Sequence, residues 1–221
     1  MTFQFNTVFE YWPMYLEGLR TTIYVTLGSL IFSLILSIPL AMIKITKNKI
    51  LNFIGFLYTD IFRALPSLVQ IYLVYFAAPQ LFGITFTALT YAFITLSMNA
   101  AAYISEALRG GILSVDIGQR EAAKALGISQ VDTLKDIVLP QALKAVFPSM
   151  INETIGLLKG TSLVSIIGVV DLMRASRQVM ADSYLSFEPL MVAAVIYYIL
   201  VKSMSMIGNR LEKRIRVSEI R

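Results

Sequence analysis

Residues 121–140 read EAAKALGISQVDTLKDIVLP. Their flanks are apolar enough for a bilayer, yet this stretch is helical, amphipathic and water-soluble in character. Asp116 stands at a helix N-cap with Gln119 three residues on, the spacing of a capping box. The helix it opens runs through Arg120, Glu121, Ala122, Ala123, Lys124, Ala125 and Leu126, and Gly127 is placed as its left-handed C′ residue. Ser129 with Asp132 repeats the capping pattern, and Val131, Leu134, Ile137 and Val138 make a helical apolar stripe behind it. Pro140 stops that second helix or joins it to the next apolar run. Two short helices at a fixed bend are more structure than a connection requires. From the residues alone two readings stand: an amphipathic linker on lipid headgroups, or a docking element whose small alanines let another protein approach closely.

Working outward, the chain becomes membrane-grade. Of 221 residues, 57% are hydrophobic and 15% charged, with a mean hydropathy of +0.70. Soluble domains run at about 45–50% apolar and about 25% charged. The composition therefore predicts an all-α integral membrane protein, one transmembrane domain over residues 1–221. The absence of cysteine excludes disulfide and thiolate chemistry, and the absence of histidine removes the commonest general base and metal ligand. A spanning helix needs about 20 apolar residues. Five runs qualify: 19–43, 50–78 (interrupted by Asp60, Arg63 and Pro66), 84–105, a shorter 142–158, and 189–207. The first is too long for a signal-peptide core and is preceded by Glu10 and Glu17 rather than by positive charge.

Charge then orients the spans. Lys44, Lys47 and Lys49 follow the first run, and Arg109, Arg120, Lys124, Lys135 and Lys144 lie around the segment between the third and fourth. Lys202, Arg210, Lys213, Arg214, Arg216 and Arg221 lie at the end of the fifth or beyond it. Five spans put all three groups on one side, which the positive-inside rule makes cytoplasmic. The N-terminus is then outside, the C-terminus inside, and the loop over 109–140 cytosolic. Arg174 and Arg177 fall outside, against the rule. The net charge of +5 is thus a topology signal, with no nucleic acid implied. Residues 161–170 are apolar but too short to cross, so they read as a re-entrant or partly buried continuation. Residues 171–188 read as an outer segment with a short helix.

Ionisable residues within spans are costly and face a partner or a cavity. Arg63, Ser67, Gln70 and Val74 fall at helical spacing beside Pro66. Arg63 has Asp60 as an alternative partner. Asn99, Tyr103 and Glu106 share a face, with Glu106 spaced to pair with Arg109 at a helix end. The fourth run carries Asn152, Glu153, Lys159, Thr161 and Ser162. Facing a cavity, an acidic and a basic group together with hydroxyl or amide donors would make a polar site. Glu153 with Lys159 or Arg63, and with Ser67, Gln70, Asn99, Thr161 and Ser162, supplies that set; pairing of Glu153 with Lys159, or of each across a dimer, is the rival. Gly156 and Gly160 have the spacing of a close helix contact.

The motifs GQREAAKALG (118–127), AYISEALRGGILSVD (102–116), FRALPSLVQIYLVYF (62–76) and NETIGLLKGTSLVSIIGVVDL (152–172) together resemble the permeases of ATP-driven (ABC) importers. The first is similar to their EAA loop, and the set points to the polar amino acid uptake subfamily, whose short permeases have five spans. Ala64-Leu65 stands where Gly-Thr is more usual. The resemblance implies a bacterial inner membrane protein working with a second permease subunit, identical or closely related. It also implies two cytosolic ATPases and an extracytoplasmic solute-binding protein. It assigns the ATPase contact to Glu121 and Gly127, supported by Ala122, Ala123 and Leu126. No P-loop is present: in GLLKGTS (156–162) the lysine is misplaced. ATP and Mg would then sit on the partner, with no cofactor in this chain and no enzyme activity of its own. Glu153 favours arginine, lysine or histidine as cargo, with glutamine possible. An ion-coupled carrier or channel, and a membrane enzyme built on Ser162 and Lys159, are the alternatives.

Overall fold

The computed structural model describes residues 4–217, and among these all regular structure is helical. Arg221 lies outside the described residues. After a short α1 (Phe5–Phe9), α2 runs from Trp12 to Ile45, well beyond the expected 19–43, with a proline in its first turn, where a missing N–H costs nothing.

The long helix is apolar on the outside and small and polar on the inside. Its buried face is Gly18, Thr22, Thr26, Ser29, Ser33 and Ser37, while Ile23, Leu27, Ile31 and Ile35 are exposed. The buried hydroxyls mostly satisfy themselves on their own helix. Thr26 donates to the Thr22 carbonyl at 2.7 Å, Ser33 to Leu30 at 2.7 Å and Ser37 to Leu34 at 2.9 Å. Against this face lies α6 (Ala88–Ser114), presenting buried Ala92, Ala100 and Ala101. Where lipid is as apolar as leucine, helices associate by close approach of small residues, and this seam follows that rule.

The second expected span is not one helix. Asn48 caps α3 (Lys49–Ala64), accepting from the Ile50 and Leu51 amides. At Leu65 the backbone turns extended, as a residue before proline does. The chain resumes as α4 (Ser67–Tyr72), passes a π turn (Leu73–Ala77) and ends in α5 (Ala78–Phe82), bent 108° from α3.

After α6 come α7 (Ile117–Ala125) and α8 (Gln130–Asp132). A π turn over Thr133–Val138 leads into α9 (Leu139–Gly160), so Pro140 joins rather than stops. Its ring would clash with the carbonyl four residues back in a regular helix, and the wider turn relieves that. The segment expected as a re-entrant or partly buried continuation begins as a 3-10 helix (Thr161–Ile167) with Thr161, Val164, Ser165 and Ile167 buried, and the chain breaks at Gly168, φ 92°. Then α10 (Leu172–Ser183) packs beside α2, and α11 (Phe187–Val217) completes the fold.

Helices occupy all five expected runs. By length and apolarity α2 and α11 (to Ile215) qualify outright as spans; two bent pairs, α3 with 67–82 and 130–167 with α10, qualify jointly. Glycines permit close crossings. A Cβ on Gly18 would meet the Asp171 carbonyl at 2.8 Å, and one on Gly111 would meet Val146 at 2.4 Å. Gly156 has open space around it, so the expected contact through Gly156 and Gly160 does not form within this chain.

Candidate functional site

The α7–α8 hairpin is built by local chemistry. Asp116 accepts from the Gly118 amide at 2.6 Å, which caps α7. Gln119 does not close the capping box. Its side chain accepts from Gln141 at 2.8 Å and so ties α7 to α9. At the far end Gly127 adopts φ +74°; its amide donates to the Lys124 carbonyl at 3.1 Å and Ile128 donates to Ala123 at 3.0 Å. These two bonds are the Schellman closure, which satisfies the last carbonyls of a helix. Ser129 accepts from the Asp132 amide at 3.1 Å and donates its hydroxyl to the Asp132 carboxylate at 2.6 Å.

The hairpin presents an exposed surface of Glu121, Ala122 and Leu126, with Leu126 79% exposed. Ala123 is 2% exposed and turns inward, so it packs the hairpin instead of meeting anything outside. Val131 also departs from the expected stripe: it is 72% exposed, while Leu134, Ile137 and Val138 are covered. Between the arms lies a cavity of about 440 Å3 lined by Arg120, Glu121, Lys124 and Leu134 among others. Arg120 reaches out of it to the Ile112 carbonyl at the end of α6.

The residues expected to bind substrate divide into two groups. Gln70 is 3% exposed and donates at 2.8 Å to the carbonyls of both Phe62 and Leu65. Asn99 donates to Gln70 at 2.9 Å and reaches Phe62 at 3.4 Å. Pro66 has no N–H for the Phe62 carbonyl, and these amides replace it. They hold the bend. Thr161 is fully buried and donates to Leu158 at 2.7 Å, while half-buried Ser162 donates to Lys159 at 2.8 Å. Ser67 is half-buried at the start of α4, and the 108° bend separates it from the helix of Arg63, so the expected polar stripe does not exist.

Lys44 turns inward as well. Expected as a surface topology charge, its side chain is 0% exposed and donates to Glu106 at 2.6 Å, Ser105 at 2.8 Å and Thr59 at 3.0 Å. Glu106 also pairs with Arg109 at 3.1 Å, as its spacing implied. This cluster pins α2, α3 and α6 together just before the hairpin.

The second group faces outward. On α9, Ser149, Asn152, Gly156 and Lys159 are exposed at helical spacing, with Glu153 half-buried beside them. Among the described residues, the side chains of Asn152, Glu153 and Lys159 make no hydrogen bond or ion pair, so Glu153 and Lys159 do not pair within the chain. Arg63 is exposed and stacks on Tyr103 at 5.4 Å instead of pairing with Asp60.

Known proteins share this arrangement. The chain is 44% identical over 202 residues to the putative glutamine transport system permease protein of Rickettsia bellii, covering 91% of this chain and 93% of that one. It is 39% identical over 219 residues to the arginine transport system permease protein of Bacillus subtilis, covering 99% and 100%. Among solved structures, one described as an amino acid ABC transporter with histidines superposes with a TM-score of 0.90 at 32% identity, covering 97% of this chain and 100% of that one. A methionine ABC transporter in an inward-facing conformation shares the fold, with a TM-score of 0.79 at 20% identity over 91% of this chain and 96% of that one. The family described as binding-protein-dependent transport system inner membrane component matches residues 33–217, and the chain belongs to it.

Proposed function

We propose that this chain is the permease subunit of an ATP-driven amino acid importer in a bacterial inner membrane. In this reading it crosses five times, N-terminus outside and C-terminus inside. The polar face of α9 carries the reading. Asn152, Glu153 and Lys159 lie on a helix in an apolar chain without hydrogen-bond or ion-pair partners among the described residues. Lipid would leave those groups unsatisfied, so they face a watery path or a second permease subunit. Arg63, exposed over Tyr103, supplies the opposite charge that a zwitterionic substrate requires. The named relatives carry glutamine and arginine, and Glu153 favours the cationic end of that range.

The α7–α8 hairpin is the coupling element in this scheme, seated in a groove on each of two cytosolic ATPases that bind ATP and Mg. Glu121 and Leu126 supply the exposed contact, and Gly127 fixes its shape through a left-handed turn. Closure of the ATPase pair then moves α6 and α9, between which the hairpin is strung, as rigid bodies. An extracytoplasmic binding protein delivers the substrate. In proteoliposomes holding the assembled transporter, Glu121→Ala and Gly127→Val should each abolish substrate-stimulated ATP hydrolysis while the chain still inserts. Normal coupling in both variants would refute the docking role. Transport that persists with an inactive ATPase would favour an ion-coupled carrier instead.

A further inference from the structure

Away from α9, a groove of about 760 Å3 lies between α2, α3 and α6. Phe32, Leu36, Leu40 and Ile43 of α2 form one wall, with Tyr58 of α3 and Phe93 of α6 opposite. Its size is that of a ligand pocket, about 300–1,000 Å3, and its lining is almost wholly apolar. Phe93 packs directly onto Gly28, where a Cβ would clash at 2.3 Å, and Tyr24 stands edge-on to the same ring at 5.2 Å. Ser97, small and buried with its hydroxyl unpartnered, leaves the wall hollow.

The groove's length places it in the membrane. From Tyr24 to Ile43, α2 rises roughly 28 Å, close to the hydrocarbon thickness of about 30 Å. Beyond the Ile43 end the chain turns through exposed Lys47 and Lys49, and no acidic side chain among the described residues pairs with either. An apolar trough followed, in the turn beyond its Ile43 end, by two exposed cations that pair with no acid among the described residues matches an amphiphile with a negative head.

We propose that the groove is a site for an acyl chain of an anionic phospholipid, with Lys47 and Lys49 holding its headgroup. This rests on α2 lying in the membrane and not on the cargo or the ATPase, so transport measurements leave it untouched. It differs from the general lipid contact of any spanning helix in being concave and charge-selective. A lysine beside an anionic lipid surface contributes about 1 kcal/mol, roughly fivefold in binding.

The test places a tryptophan in the wall. Trp12 is the single tryptophan of the chain. Trp12→Phe with Phe32→Trp therefore reports on the groove when the full-length chain sits in phosphatidylcholine vesicles. Brominated phosphatidylglycerol should quench the new fluorescence at a mole fraction at least about fivefold lower than brominated phosphatidylcholine does. Adding Lys47→Glu and Lys49→Glu should remove that preference, and Ser97→Leu should remove the tight component of quenching for both lipids. Equal quenching by the two lipids, or a preference that survives charge reversal, would overturn the site. So would a tryptophan that neither lipid quenches, the result expected if a second copy of the chain covers the groove.

Discussion

Asn99 on α6 and Asn152 on α9 carry the same amide within apolar helices, and the fold turns them in opposite directions. Asn99 is spent on Gln70 and on the Phe62 carbonyl that Pro66 leaves without a donor. Asn152 is exposed and holds nothing among the described residues. The same contrast separates Lys44, fully buried on Glu106, from Lys159, exposed without an anion. A polar group in a membrane helix has two reasons to be there: it repairs backbone bonds and charges inside the protein, or it awaits something from outside. Which one applies is decided by whether a partner within the chain already uses it.

The largest test of that division is Lys44→Met. Breaking a buried, hydrogen-bonded pair costs about 3–5 kcal/mol, and because Glu106 keeps Arg109 as a second partner the loss should lie at the lower end, about 3 kcal/mol. Denaturant titration in detergent micelles reads this directly. Because replacing both members by apolar groups is often close to neutral, Lys44→Met with Glu106→Leu should recover most of the loss. A single variant as stable as the natural chain would break the comparison, since Lys44 would then belong with the outward group. Next in size is Gln70→Leu. It strips the Leu65 carbonyl of its side-chain donor, leaves the Phe62 carbonyl only the 3.4 Å bond from Asn99, and takes from Asn99 its acceptor on Gln70. At about 1–3 kcal/mol for a buried unsatisfied group, roughly 2–3 kcal/mol is expected, with a change in the angle between α3 and α4 measurable by spin-label distances.

Much of this was legible in the sequence, and the gaps have physical causes. Run length and composition marked where helix would form, with α2 and α11 qualifying as spans outright and the second run broken at Pro66, because the chain must satisfy its backbone internally in lipid. The hairpin over 116–138 was legible in more detail, since Asp116, Gly127 and Ser129 act on groups within a few residues. The break at Pro66 was visible too, but its 108° angle was not, as that depends on Asn99 reaching across from another helix. Gln70 looked like a ligand donor because spacing assumes an unbroken helix. Lys44 was misplaced because counting charges near span ends takes no account of depth. The small, hydroxyl-rich stripe of α2 was in the sequence all along, at the spacing of a buried helix face. It stood out only against a membrane logic in which exposed faces are the greasy ones.

The smallest effect on stability should come from Glu153→Gln, and that is what makes it informative. The carboxylate has no partner among the described residues, so the substitution breaks no hydrogen bond or ion pair and keeps the side chain's shape. Surface changes of that kind stay within about 0.5 kcal/mol. Transport should respond differently. If Glu153 meets the positive end of the substrate, losing its charge removes one ionic contact, and a tenfold fall corresponds to about 1.4 kcal/mol. Uptake of arginine by the assembled transporter should drop by roughly that factor, while uptake of glutamine, whose side chain is neutral, should fall less. The ratio of the two rates is the decisive number, because a binding protein's own preference is the same with either permease and cancels between variant and natural chain. An unchanged ratio would move Glu153 from substrate contact to the permease–permease interface, the other place an unpartnered carboxylate on α9 can go.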